Sequence, residues 1–196
     1  LKLHLIVFIW GFTAILGALI TIPSVELVLY RTILSAIGMA GLMMLTKKKF
    51  DAGPADIVKL LLTGFIVAAH WITFFGSARI SNVSVSLVGL STASLWTSVL
   101  EPLAYGRRIK SFEVLLGCIV IAGLYIVFSF SFHYRTGLLV AILSGFTSAL
   151  FSVINSRIVR RVSPYTITFY EMTGAFAGTI LFLPLYIWLW LPGSTL

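Results

Sequence analysis

The chain is 196 residues long, 59% hydrophobic and 10% charged, whereas a soluble domain carries roughly 25% charged residues. With a mean hydropathy of +1.07, this composition excludes an ordinary water-soluble fold and implies an all-α integral membrane protein, a polytopic helical bundle. The formal net charge of +8 does not imply a nucleic-acid partner, because the basic residues form short clusters between long apolar runs.

A helix that crosses the hydrocarbon needs about 20 apolar residues, and runs of that kind occur at 3–21, 24–46, 57–77, 81–104, 112–131, 137–157 and 165–191. The first carries Trp10 and Thr13 around the string GFTAIL, and no small-residue cleavage site follows it, so it reads as a true span and not as a signal peptide. The second opens SVELVLYR and brings in Arg31; the third holds AAHWITFF, with His70, Trp71 and Phe74. The fourth carries Ser84, Ser91, Ser94 and Ser98 on one small polar side, with Trp96 midway and Glu101 near its end. That side is expected to face the bundle, for close packing or to line a watery cavity. The fifth contains the single cysteine, Cys118, which leaves no internal disulfide and no cysteine-rich metal site. The sixth repeats the early string as GFTSAL, including Thr147; the seventh opens SPYTITFYE, ending on Glu171, and continues into GAFAG, a GxxxG expected to serve helix packing. The connections are short and turn-like, so the chain reads as one membrane domain.

Basic residues sort by side when the loops are assigned alternately. Of fourteen, Lys2, Lys47, Lys48, Lys49, Lys59, Arg107, Arg108, Lys110, Arg157, Arg160 and Arg161 fall on the N-terminal side, and only Arg31, Arg79 and Arg135 fall opposite. The positive-inside rule then places the N-terminus in the cytoplasm. The two GFT strings lie in spans one and six, and SVELVLYR in span two corresponds to PYTITFYE in span seven, in the same order. An odd number of crossings between equivalents reverses direction. Inverted-topology repeats of this kind are the architecture of secondary transporters.

The stretches IVFIWGFTAILG, VELVLYRTIL, AAHWITFFGSARISNVSVSLVGLSTASLWTSVLEPLAYGRRI and GLLVAILSGFTSALFSVINSRIVRRVSPYTITFYE closely resemble the drug/metabolite transporter superfamily in its EamA-type branch. The likeness covers nearly the whole chain. It is most specific at Trp10-Gly11, Arg31, His70-Trp71 and the opening of span seven. The resemblance implies a ten-helix protein of two five-helix inverted repeats that moves small organic metabolites. By that measure, 1–131 is the first repeat, 137–196 is the first two helices of a truncated second one, and this chain alone would insert without transporting. One departure matters: the family's usual Gly-Glu-Arg string at the cytoplasmic end of span four is here Gly106-Arg107-Arg108, with the carboxylate at Glu101. A role tied to that glutamate does not carry over.

Ionisable groups at membrane depth are functional candidates by default, although helix ends and buried pairs are the commoner explanation. His70 lies about 20 Å of helix rise into span three. It suits either a proton carrier or substrate ligand, or a neutral core histidine bonded to a neighbouring helix. Glu101 is close enough to the interface to pair with Arg107, Arg108 or Lys110. Arg31 and Glu171 stand at matched depths from opposite sides, suiting two gates, or simply helix ends. The expected substrate pathway is therefore Trp10, Thr13, His70, Trp71, Phe74, Ser91, Ser94, Trp96, Ser98 and Thr147, with Arg31, Glu101 and Glu171 gating or coupling. No HExxH, GxSG-type serine motif, paired intramembrane Asp or P-loop is present, so neither catalysis nor a cofactor or metal is expected. The expectation is a secondary transporter of a small metabolite, such as an amino acid or related compound, in the bacterial inner membrane. Proton coupling and homodimerisation are both compatible with it. The alternatives are a non-transporting helical receptor or scaffold and, less favoured, an intramembrane enzyme.

Overall fold

The computed structural model describes residues 2–129 and 132–190; the side chain of Trp10 lies outside the described set. Every regular element among these residues is helical: α1 Lys2–Leu19, α2 Ser24–Leu45, α3 Pro54–Ile80, α4 Val83–Leu90, α5 Ala93–Tyr105, α6 Ser111–Ser129, α7 Arg135–Ile158 and α8 Pro164–Trp190, with a 3-10 turn at Phe132–Tyr134. Five spans are long and apolar enough to cross a bilayer, namely α2, α3, α4 with α5, α7 and α8; the runs at 3–21 and 112–131 form the shorter apolar segments His4–Gly17 and Ser111–Ile126.

The fourth span departs from the continuous helix expected over 81–104. It breaks at Ser91 and Thr92, where Ser91 Oγ donates to the Val88 carbonyl at 2.6 Å and Thr92 Oγ1 to the Gly89 carbonyl at 2.7 Å. Adjacent hydroxyls that bond their own backbone tighten the turn and interrupt the ladder. Ser84, Ser91 and Ser94 are exposed, while Thr92 and Ser86 are buried. The hydroxyls of Ser94 and Ser98 likewise close on carbonyls one turn back, at 3.0 and 2.7 Å, so these serines do not require a neighbouring helix.

The chain forms two compact units, Leu1–Ile22 with His70–Val153, and Pro23–Ala69 with Ile154–Leu196. In the first, small residues bring backbones together. A Cβ on Gly89 would strike Ala141, one on Gly137 would strike Ser81, and one on Gly145 would meet Thr92 Oγ1 and, at 3.1 Å, the Gly89 carbonyl. The contacts advance in the same order along both partners, so α4–α5 and α7 run parallel, as two even-numbered crossings must. Gly145 thus seats the second GFT string against the break in the fourth span, whereas a Cβ on Gly11, its counterpart in the first string, would meet nothing among the described residues. Arg79, at the end of α3, donates to the Ile20 carbonyl at 2.7 Å, where a cation suits the C-terminal end of α1.

In the second unit α2 packs along α8, and GAFAG packs α8 against α3. A Cβ on Gly174 would strike the Leu61 backbone, one on Gly64 would strike the Glu171 carbonyl, and one on Gly178 would touch the Phe65 ring at 3.0 Å. This is the close approach that small residues permit between membrane helices. Nearby, Leu60, Ile158, Val162 and Ile167 form a buried cluster, joined by Ala52, Ile154 and Tyr170.

Two acidic residues ahead of the third apolar run tie the start of α8. Arg161 grips Asp56 through two bonds of 2.6 and 2.9 Å, and Asp51 accepts from the Ser163 N–H at 3.0 Å. The Thr166 hydroxyl, together with Ser163, holds the Asp51 carboxyl below its ordinary value. A carboxyl depressed in this way contributes stability above its unfolded value and loses it as the pH falls into the acid range. Amide exchange at 163–166, corrected for its intrinsic pH dependence, should therefore quicken below about pH 4, and Asp51→Asn should reproduce the quickening at neutral pH.

Candidate functional site

The first unit places His70 deep on α3, 7% exposed. Its Nδ1 lies 3.0 Å from the Ser144 carbonyl and 2.9 Å from Ser144 Oγ, and that hydroxyl donates to the His70 carbonyl at 3.1 Å. A carbonyl only accepts, so Nδ1 carries the hydrogen. The Ser144 carbonyl also accepts from Thr147 Oγ1 at 3.0 Å, and the ring stacks on Phe74 and meets Phe151, with centroids 6.1 and 5.5 Å away. Of the residues expected to cluster, the structure brings His70, Phe74 and Thr147 together. Trp71 and Thr13 are half-buried.

Sequence reasoning missed the partners. Ser144 and Ser86 are fully buried; Ser86 Oγ donates to the Phe74 carbonyl at 3.0 Å and accepts from Ser77 Oγ at 2.7 Å. Ser144 sits in the residue position just before GFTSAL, and attention to hydroxyls flanking the repeated string, as well as to those within it, would have found it.

A cavity of about 260 Å³ opens below the break in the fourth span. Ser94, Thr97, Ser98 and Glu101 line it together with Arg107, Arg108, Lys110 and Glu113. The chain turns between these groups because Gly106 adopts φ of +64° and closes α5 with the Arg107 N–H bonded to the Pro102 carbonyl at 2.8 Å, a conformation that costs glycine little. Glu101 makes no ion pair among the described residues; in this loop the pair that forms is Lys110–Glu113 at 3.9 Å, and Arg107 lies over the Tyr105 ring at 5.3 Å. Trp96, next to the hydroxyl row, packs edge-on against Phe146, and its indole N–H has no acceptor among the described residues.

In the second unit Glu171 is buried on α8 and bonded by the Asn155 side chain of α7, while Arg31 is half-buried on α2. Among the described residues no three His, Cys, Asp or Glu side chains converge as a metal site would require. The family model of EamA-like transporters matches residues 1–129, more than half of the sequence. The chain belongs to the EamA-like transporter family. That family is part of the drug/metabolite transporter superfamily, and its members are transporters. Comparison with curated proteins and with solved structures yields no match. For an EamA-like chain, a polytopic helical membrane protein with a small-molecule substrate follows from the family and the apolar helices together.

Proposed function

We propose that the protein is a secondary transporter of a small organic metabolite, such as an amino acid or a related compound, that works by alternating access in the bacterial inner membrane with its N-terminus in the cytoplasm. The observation that carries this reading is the cavity shared by Ser94, Ser98 and Glu101, three residues that the sequence already marks as pathway or coupling positions. The cavity begins two residues beyond the break at Ser91 and Thr92. Interrupted helices at membrane depth are tolerated where they are buried in protein or line a cavity, and transporters build their sites on them. A lining of three hydroxyls, two carboxylates and three cations suits a small ligand that carries both hydrogen-bonding and charged groups.

On this reading Glu101 and Glu171 are the coupling carboxylates, Arg31 a gate, and Trp10, Thr13, His70, Trp71, Phe74, Ser91, Trp96 and Thr147 the remaining pathway residues. The test is a metabolite uptake and efflux screen on the full-length protein in vesicles with an imposed pH gradient. Saturable flux of one compound class is expected, with Glu101→Gln and the pair Ser94→Ala, Ser98→Ala each lowering it at least tenfold at unchanged protein level. Flux that survives both replacements intact would remove the cavity from the pathway.

A further inference from the structure

Glu171 and Asn155 present an unusual remainder. Both belong to the second unit, on α8 and α7, and the Asn155 amide donates to the Glu171 carboxyl. Yet Glu171 Oε1 and Asn155 Oδ1 are both shielded from solvent and neither has a hydrogen-bond donor among the described residues. Two buried acceptors without donors, on side chains that are bonded to each other, are a costly arrangement. One hydrogen removes the deficit on both. With a hydrogen on Oε1, the acid O–H donates to the amide oxygen while the amide N–H donates to the other carboxyl oxygen, which closes a ring of two hydrogen bonds.

We propose that Glu171 and Asn155 form a proton-binding site, an acid–amide ring that is complete only when Glu171 Oε1 carries a hydrogen. On binding, an aqueous proton forms the Oε1–H bond; on release, the bonding electron pair stays on Oε1, the carboxylate becomes charged and the ring opens on one side. Glu171 makes no ion pair among the described residues. Helix α3 meets Glu171 at Gly64, which has no side chain; its charged residues near that end are Lys59, exposed, and Asp56, held by Arg161. Arg157, near the end of α7, is exposed. Helix α2, packed along α8, carries Glu26 and Arg31, both half-buried. The use of this proton in coupling rests on the transporter reading above; the site itself does not.

The test uses the whole chain in lipid, with infrared spectroscopy at neutral pH and circular dichroism as the check on folding. The chain contains six Asp and Glu residues, and Glu171 is the one buried side chain among them. A carboxylic-acid carbonyl band is expected in the wild type, moved by carbon-13 labelling of glutamate, absent in Glu171→Gln and shifted in Asn155→Leu as the amide bond is lost. The amide introduced by Glu171→Gln would keep the ring by donating its own hydrogen, so that variant should stay as thermostable as the wild type, while Asn155→Leu should not. A folded wild type with no such band overturns the proposal whether or not the protein transports. A band that Asn155→Leu leaves in place overturns the ring. A confirmed band, with pH-gradient-driven flux unchanged in Glu171→Gln, keeps the site and refutes its part in coupling.

Discussion

Replacing Gly174 by alanine should lower the stability of the second unit more than the same change at any glycine outside the α3–α8 seam. The new Cβ would strike the Leu61 carbonyl and lie 2.8 Å from its carbonyl carbon and Cα, and backbone atoms cannot rotate aside as a side chain can. The helices must part, and with them Gly64, whose own Cβ position is 2.6 Å from the Ala175 nitrogen. Overpacking of this kind costs about 1–3 kcal/mol, which for a chain of this size lowers the unfolding midpoint by roughly 2–4 °C per kcal/mol. Gly174→Val should do more. Gly178→Ala should do less, because its nearest contact is the Phe65 ring at 3.0 Å, which can turn. Gly38→Ala on α2 is the control, since its Cβ meets nothing; there alanine improves helix propensity by up to about 1 kcal/mol. Thermal unfolding of the four variants in one detergent gives the order directly. Equal midpoints for Gly174→Ala and Gly38→Ala would mean that α3 and α8 are not apposed at this seam.

Much of this packing was legible in the sequence, and for an identifiable reason. Gly174 and Gly178 repeat on one helix face, and a small residue four positions from another needs no partner to be recognised as a contact surface. The helix positions were equally plain, because apolar length and the Lys and Arg clusters of the loops are properties of single segments. The break at Ser91 and Thr92 was not. The sequence puts Ser91 on a continuous helical face with Ser84, Ser94 and Ser98, whereas its hydroxyl, bonded to Val88, and that of Thr92, bonded to Gly89, interrupt the helix that carries the face. Partners separated by many residues were hidden too. His70 stood out as an imidazole in an apolar run, but nothing local to it indicates Ser144, and Glu171 gives no sign of Asn155. The comparison of Gly11 with Gly145 illustrates the same limit, because identical strings acquire different neighbours. Gly145 closes on Thr92, while Gly11 remains open.

Substituting His70 by alanine should be the most damaging single change in the first unit. The imidazole is 7% exposed, stacked on Phe74 and bonded through Nδ1 to Ser144. Large-to-small replacement in a packed interior costs about 2–5 kcal/mol, and the lost hydrogen bond adds about 1 kcal/mol. His70→Asn, which keeps an N–H able to reach the Ser144 carbonyl, should recover part of the loss. Ser144→Ala should cost less than His70→Ala, because it removes one hydroxyl and leaves the carbonyl acceptor. The double variant should then be less unstable than the sum of the two, by a coupling of about 0.5–3 kcal/mol. These stabilities separate two roles for the residue. If the imidazole only fills and ties the core, flux per folded molecule stays level across His70→Ala, His70→Asn and Ser144→Ala, and activity tracks the amount of folded protein. If His70 borders the pathway, as proposed, His70→Ala lowers flux well beyond the loss of folded protein. His70→Asn then restores stability more fully than flux, because an amide replaces the hydrogen bond and cannot exchange a proton near neutral pH as an imidazole does.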